Sequence, residues 1–77
     1  MNTRGHTPSA TDAEIGRRIK RARVMAGLSQ AKLGQQIGLS FQQVHKYEHV
    51  LSPITIRRLA QVAAALRVPL TSLTDGL

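Results

Sequence analysis

The 77-residue sequence predicts an all-α fold built from five short helices. Three observations carry that prediction. Apolar residues recur at helical spacing, the runs are bracketed by Ser, Thr, Gly or Pro residues suited to helix ends, and no segment reads as a strand. The most informative stretch is Gln30 to Glu48, QAKLGQQIGLSFQQVHKYE. Leu33 and Ile37 lie one turn apart, Gly38 breaks the helix and Leu39 caps the turn, after which Val44 and Tyr47 repeat the one-sided pattern. Two short helices meeting at a sharp turn bury residues so placed, and Gly34 leaves room where the second crosses close over the first.

Taken in order, residues 1–10 (MNTRGHTPSA) have no periodicity and are expected to form a mobile arm, with the domain running over 11–77. Thr11 opens the first helix through a capping box with Glu14. Ile15, Ile19, Ala22 and Ala26 form its apolar stripe, Arg17, Lys20 and Arg21 its opposite face, and Gly27 its end. Ser29 caps a second helix over about Gln30 to Ile37, and Ser40 caps a third from about Phe41 to His49. Pro53 places a loop over residues 50–53, Ile54 staples onto the next helix, and Thr55 caps Ile56 to Leu66. The buried stripe there is Ile56, Leu59, Val62, Ala63 and Leu66. Pro69 suits the first turn of a short fifth helix carrying Leu70 and Leu73.

Composition bounds the partners. A chain of 8.4 kDa is one domain with enough core to fold alone or as a dimer, and without cysteine it has neither disulfides nor thiolate-held zinc. No apolar run reaches the roughly 20 residues of a membrane span, and the start lacks a signal-peptide stretch, so a cytoplasmic protein is expected. Between Arg17 and Arg67 ten Lys or Arg residues face the single acid Glu48, a net +9. An excess so one-sided suits a polyanion, because each neutralised phosphate releases condensed counterions. Membrane-surface binding is disfavoured, since the first helix lacks the bulky apolar face that enters lipid. With only two aromatic residues, stacking platforms for single-stranded RNA are disfavoured too.

The segments GLSQAKLGQQIGLS, SFQQVHKYE and RRLAQVAAALRVPL together resemble the Cro-like, phage-repressor (xenobiotic-response-element, XRE) class of helix-turn-helix DNA-binding proteins, from about Ile15 to Leu73. The resemblance implies a compact five-helix, lambda-repressor-like domain that places its third helix in a major groove. It further implies a sequence-specific transcription regulator of bacterial or phage origin, beside the chromosome, acting as a repressor and dimer on a palindromic operator. Carried over by position, base contacts fall on Phe41, Gln42 and Lys46, with Gln43 and His45 beside them. Gln42 suits adenine, Lys46 suits guanine O6 and N7 or a phosphate, and Phe41 suits a thymine methyl. Phosphate contacts fall on Ser29 and Gln30 at the start of the second helix, where backbone amides also point at the duplex. With Phe41 where many relatives place Gln, Gln30 loses its usual bracing partner and keeps only the phosphate role. Arg23 and Glu48 match a partly buried ion pair that fixes the third helix. Leu70, Leu73 and Leu77 are the dimer-interface candidates, against a reading in which Leu70 and Leu73 merely close the core.

The resemblance departs from pattern after the third helix. Glu48, His49, Val50 and Leu51 stand where relatives commonly read Glu-Arg-Gly, which implies a different backbone turn and removes a loop arginine that Arg57 or Arg58 replaces as a phosphate contact. Val50 and Leu51 alternatively offer a patch to a protein partner, as in an antitoxin or antiactivator that binds a toxin or regulator. Restriction-modification controller proteins are of the same size. The three histidines make no metal site, since His6 lies in the arm and His45 with His49 has no third ligand nearby. The four acids supply no nucleophile and base pairing, so an enzyme is not expected, nor a cofactor, nor a small-molecule pocket in 77 residues.

Overall fold

The computed structural model describes residues 9–77, in which the chain forms α1 (Ala10–Met25), α2 (Gln30–Ile37), α3 (Phe41–Glu48), α4 (Ile56–Leu66) and α5 (Thr71–Thr74). No strand occurs among the described residues. Residues 1–8, which include most of the expected arm and His6, lie outside them.

Each helix contributes to a single core. Ile19 from α1, Leu33 from α2, Val44 from α3, Leu59, Val62, Ala63 and Leu66 from α4, and Leu73 from α5 are all buried. Complete burial of such a side chain contributes about 1.5–3 kcal/mol, so the helices are held by their shared apolar face more than by their own propensity. Ile56 does not belong to this stripe and is 72% exposed. It lies in the first turn of α4, and Ile54 from the preceding loop packs on the core instead. Ala26, the expected end of the α1 stripe, is the exposed C-cap of that helix.

Four helices begin with a hydroxyl cap. Ser29, Ser40 and Thr55 accept hydrogen bonds from the backbone N–H groups of Lys32, Gln43 and Arg58. The α1 cap is Ser9 rather than Thr11: its hydroxyl accepts from the Asp12 N–H, and the Asp12 carboxylate accepts from the Ser9 N–H. The box closes two residues early because Ser9 and Asp12 already satisfy it, which leaves Glu14 to pair with Arg17 and Arg18.

The first four helices also end alike. A residue with positive φ follows the helix, and the next N–H donates to a carbonyl five residues back: Leu28 to Arg23, Leu39 to Gly34, Leu51 to Lys46 and Val68 to Ala63. Gly27 and Gly38 take the left-handed position of the first two turns, while Val50 (φ 57°) and Arg67 (φ 58°) take it in the others. The turn after α3 is therefore the ordinary glycine-type turn, and the expected change of backbone does not occur. The side chain, not the path of the chain, is what differs, and a β-branched residue held there is strained.

Candidate nucleic-acid interface

The geometry of α3 starts from two glycines. A Cβ built on Gly16 of α1 would lie 2.6 Å from the Glu48 carbonyl oxygen and 3.0 Å from that of Tyr47, so the α1 backbone touches the end of α3 directly. A Cβ on Gly34 of α2 would overlap the Leu39 carbonyl in the turn before α3. Gly34 was legible in the sequence. The role of Gly16 rests on a tertiary contact, although a glycine inside a helical run is a signal in itself, because it costs about 1 kcal/mol relative to alanine and needs a packing reason.

Those contacts orient α3. Val44 and Glu48 face inward and are buried, with Gln43 and Tyr47 half-buried beside them. Phe41, Gln42, His45, Lys46 and His49 are exposed, Phe41 to 53%. Of the expected base-reading residues, Phe41, Gln42, His45 and Lys46 thus share the outward side. Gln43 is set apart, its side-chain amide donating to the Ser52 hydroxyl at 3.3 Å and tying α3 to the following loop.

Arg23 and Glu48 form the ion pair anticipated from the sequence. The Glu48 side chain is wholly buried and that of Arg23 nearly so. Arg23 Nε donates to Glu48 Oε2 at 2.5 Å and Nη2 to Oε1 at 3.1 Å, while Nη1 donates to the Leu28 carbonyl at 2.8 Å. This two-pronged geometry joins the end of α1 to the end of α3 and leaves the carboxylate fully engaged.

Gln30 departs from the expectation of a phosphate role alone. Its side chain does brace α3, by donating from Nε2 to Glu48 Oε1 at 3.1 Å, and the same nitrogen stands 3.5 Å from His45 Nδ1. Phe41 removes one bracing partner, but the fold brings Glu48 from the far end of the helix within reach. The His45 and His49 rings lie against each other one turn apart, with centroids 4.3 Å apart and planes tilted by 38°. No group of three or more His, Cys, Asp or Glu residues converges among the described residues.

The flanking cations divide in two. Arg57 is exposed at the start of α4, beside the capped N-terminus. Arg58 is half-buried, and its Nη1 donates to the Ile37 carbonyl at 3.0 Å and to Gln61 Oε1 at 2.9 Å. It therefore stitches α4 to the negative end of the α2 dipole. Ser29 is exposed, its hydroxyl occupied as the α2 cap. Away from α3, the guanidinium of Arg18, then that of Arg17, holds the Glu14 carboxyl below the usual glutamate range.

Among the interface leucines, Leu73 is removed from any surface: it is 1% exposed and packs in the core. Leu70 is half-buried against that core, and Leu77 stays 47% exposed. The short α5 is pressed onto the bundle, which is what makes Leu73 a core residue. A groove of about 560 Å³ does run between α1 and the α4–α5 end, lined by residues including Arg18, Met25, Leu66 and Val68, so the chain has more concavity than its length suggested. None of the described helices is long and apolar enough to cross a membrane.

Known proteins share this arrangement. The family model described as Helix-turn-helix matches residues 19–73. An uncharacterized HTH-type transcriptional regulator of Sinorhizobium fredii, y4wC, is 44% identical over 61 residues, which cover 79% of this chain and 43% of that protein. The chain spans less than half the length of the first curated relatives it matches. Among solved structures, the restriction-modification controller protein C.AhdI of Aeromonas hydrophila superposes with a TM-score of 0.80 at 26% identity, covering 84% of this chain and 98% of that one. The P22 c2 repressor, solved in complex with a synthetic operator, superposes with a TM-score of 0.72 at 25% identity, covering 82% of this chain and 96% of the repressor.

Proposed function

The chain belongs to the helix-turn-helix family, and on that premise we propose that it binds double-stranded DNA in a sequence-specific way and regulates transcription, as a repressor that occupies promoter DNA. The observation that carries this reading is the two-sidedness of α3. Its inner face is locked by Val44 and the Glu48 ion pair, and its outer face presents Phe41, Gln42, His45 and Lys46 with no competing role in the core. A helix held rigidly by one face and bearing amide, ammonium and imidazole donors on the other suits the major groove. Ser29, the backbone N–H at Gln30 and Arg57 supply phosphate contacts, and the surrounding excess of Lys and Arg adds the salt-dependent, sequence-blind part of the affinity. One such helix reads only a few base pairs, so the protein works as a dimer on a palindrome with half-site centres about 10 to 10.5 base pairs apart. Leu70 and Leu77 contribute to that interface. The work is done in the cytoplasm, on the chromosome or on phage DNA.

The test is a salt-titrated selection from a pool of random duplexes, comparing the native chain with Gln42→Ala and Lys46→Ala. Enrichment of a palindrome whose preference relaxes in the variants supports the reading. Weak binding that is blind to sequence and indifferent to both substitutions overturns it, and turns attention to a protein partner at exposed Leu51 and Ile56.

A further inference from the structure

We infer that Gln30 is a positioning residue that sets the tautomer of His45, so that α3 presents this imidazole to its target as a hydrogen-bond donor through Nε2–H. The inference deepens the DNA-binding reading and rests on it for the nature of the target.

Glu48 accepts two hydrogen bonds from Arg23, and its Oε1 also accepts one from Gln30. An ionised carboxylate only accepts, so the Gln30 atom against it is the amide nitrogen; the amide oxygen there would set acceptor against acceptor. Burial of the ion pair thereby orients an amide that would otherwise turn either way. The amide nitrogen carries two N–H bonds, and the second has His45 Nδ1 at 3.5 Å. Facing a donor, Nδ1 presents its lone pair, and a neutral imidazole with its lone pair on Nδ1 carries its proton on Nε2. The His49 ring lies beside the imidazole from the next turn, with centroids 4.3 Å apart.

The consequence is chemical. A histidine whose tautomer is free can donate to or accept from a base edge, and so discriminates poorly. Fixed as an Nε2–H donor on an exposed ring, His45 pairs with acceptors: guanine N7 or O6, adenine N7, thymine O4, or a phosphate oxygen. The cytosine N4 amino group, a donor, is rejected.

Two measurements on the full chain decide the matter. The first is long-range proton–nitrogen correlation NMR of the histidine rings in the free protein, above the pH at which imidazoles are charged, for the native chain and for Gln30→Met. The native His45 is expected to show Nδ1 unprotonated and Nε2 protonated, and the variant, which keeps Arg23 and Glu48, to drift toward the mixture of an exposed histidine. Protonated Nδ1 in the native chain, or an unchanged pattern in Gln30→Met, overturns the inference, and neither result depends on DNA. The second is the random-duplex selection with Gln30→Met and His45→Ala. Both variants are expected to lose about three- to tenfold of the preference at one common base position, the worth of one hydrogen bond, while preferences elsewhere persist. A uniform loss over all sequences in both variants assigns the donor to a phosphate, and unchanged binding by His45→Ala overturns a target for it. If the native chain shows the expected tautomer and binds no duplex, the DNA reading fails while the Gln30 role stands.

Discussion

Replacing Glu48 by leucine removes the acceptor for two of the three Arg23 hydrogen bonds and leaves a guanidinium in a nearly closed site, with the Leu28 carbonyl as its remaining partner. Breaking a buried pair on one side costs about 3–5 kcal/mol, because the surviving charge is neither solvated nor compensated. A chain of this length has about 4–12 kcal/mol of total stability, so the loss takes a large share of it and lowers the melting temperature by about 12–40 °C. The double variant Arg23→Met with Glu48→Leu replaces the pair by apolar groups of similar volume and is expected to regain most of that loss. Urea unfolding followed by circular dichroism, in an excluded osmolyte that keeps the single variants folded, gives the four corners of the cycle. A coupling of at least about 2 kcal/mol between Arg23 and Glu48 is expected. A single-variant loss below about 1 kcal/mol, or a double variant equal to the sum of the singles, refutes it.

Further outcomes follow from other contacts. Gly16→Ala and Gly34→Ala each drive a methyl into a backbone carbonyl, so each is expected to lose about 1–3 kcal/mol by denaturant unfolding, where an open helical site would gain from alanine. At Val50 both Gly and Ala lose the isopropyl group, but only Gly relieves the left-handed strain; Val50→Gly should be the more stable of the two by about 1 kcal/mol, and the reverse order in thermal melts refutes the strain. Leu73→Ala should cost about 2–5 kcal/mol at every protein concentration, whereas substitutions at Leu77 should alter only a concentration-dependent part of the melting temperature. Because the folded Glu14 carboxyl titrates below its unfolded value, its contribution is present above the unfolded value and lost as pH falls through the folded one; Glu14→Gln should therefore be less stable than the native chain near neutrality and converge with it in acid, as read from melts across that range.

Much of the molecule follows from the sequence through local rules. Apolar residues at helical spacing and hydroxyl-bearing caps placed α2, α3 and α4, because both signals act within a few residues and need no knowledge of distant neighbours. The Arg23–Glu48 pair was reached through resemblance, not through spacing, since 25 positions separate its members. What escaped were choices between equivalent local signals. Ser9 and Thr11 both satisfied the rule for a cap, and Ile54 and Ile56 both offered an apolar side chain near the start of α4.

Only the tertiary structure decided which contacts cross between elements. That Gly16 lies under the end of α3, that Arg58 caps α2 from α4, and that α5 seals Leu73 into the core all depend on the angles at which helices meet. The same holds for Gln30, whose amide finds Glu48 at the opposite end of the helix it precedes. Helix periodicity states which side of each segment is apolar, a property of single turns. The distance between two polar groups on different helices depends on the packing of every side chain between them, and that is settled only when the whole core closes.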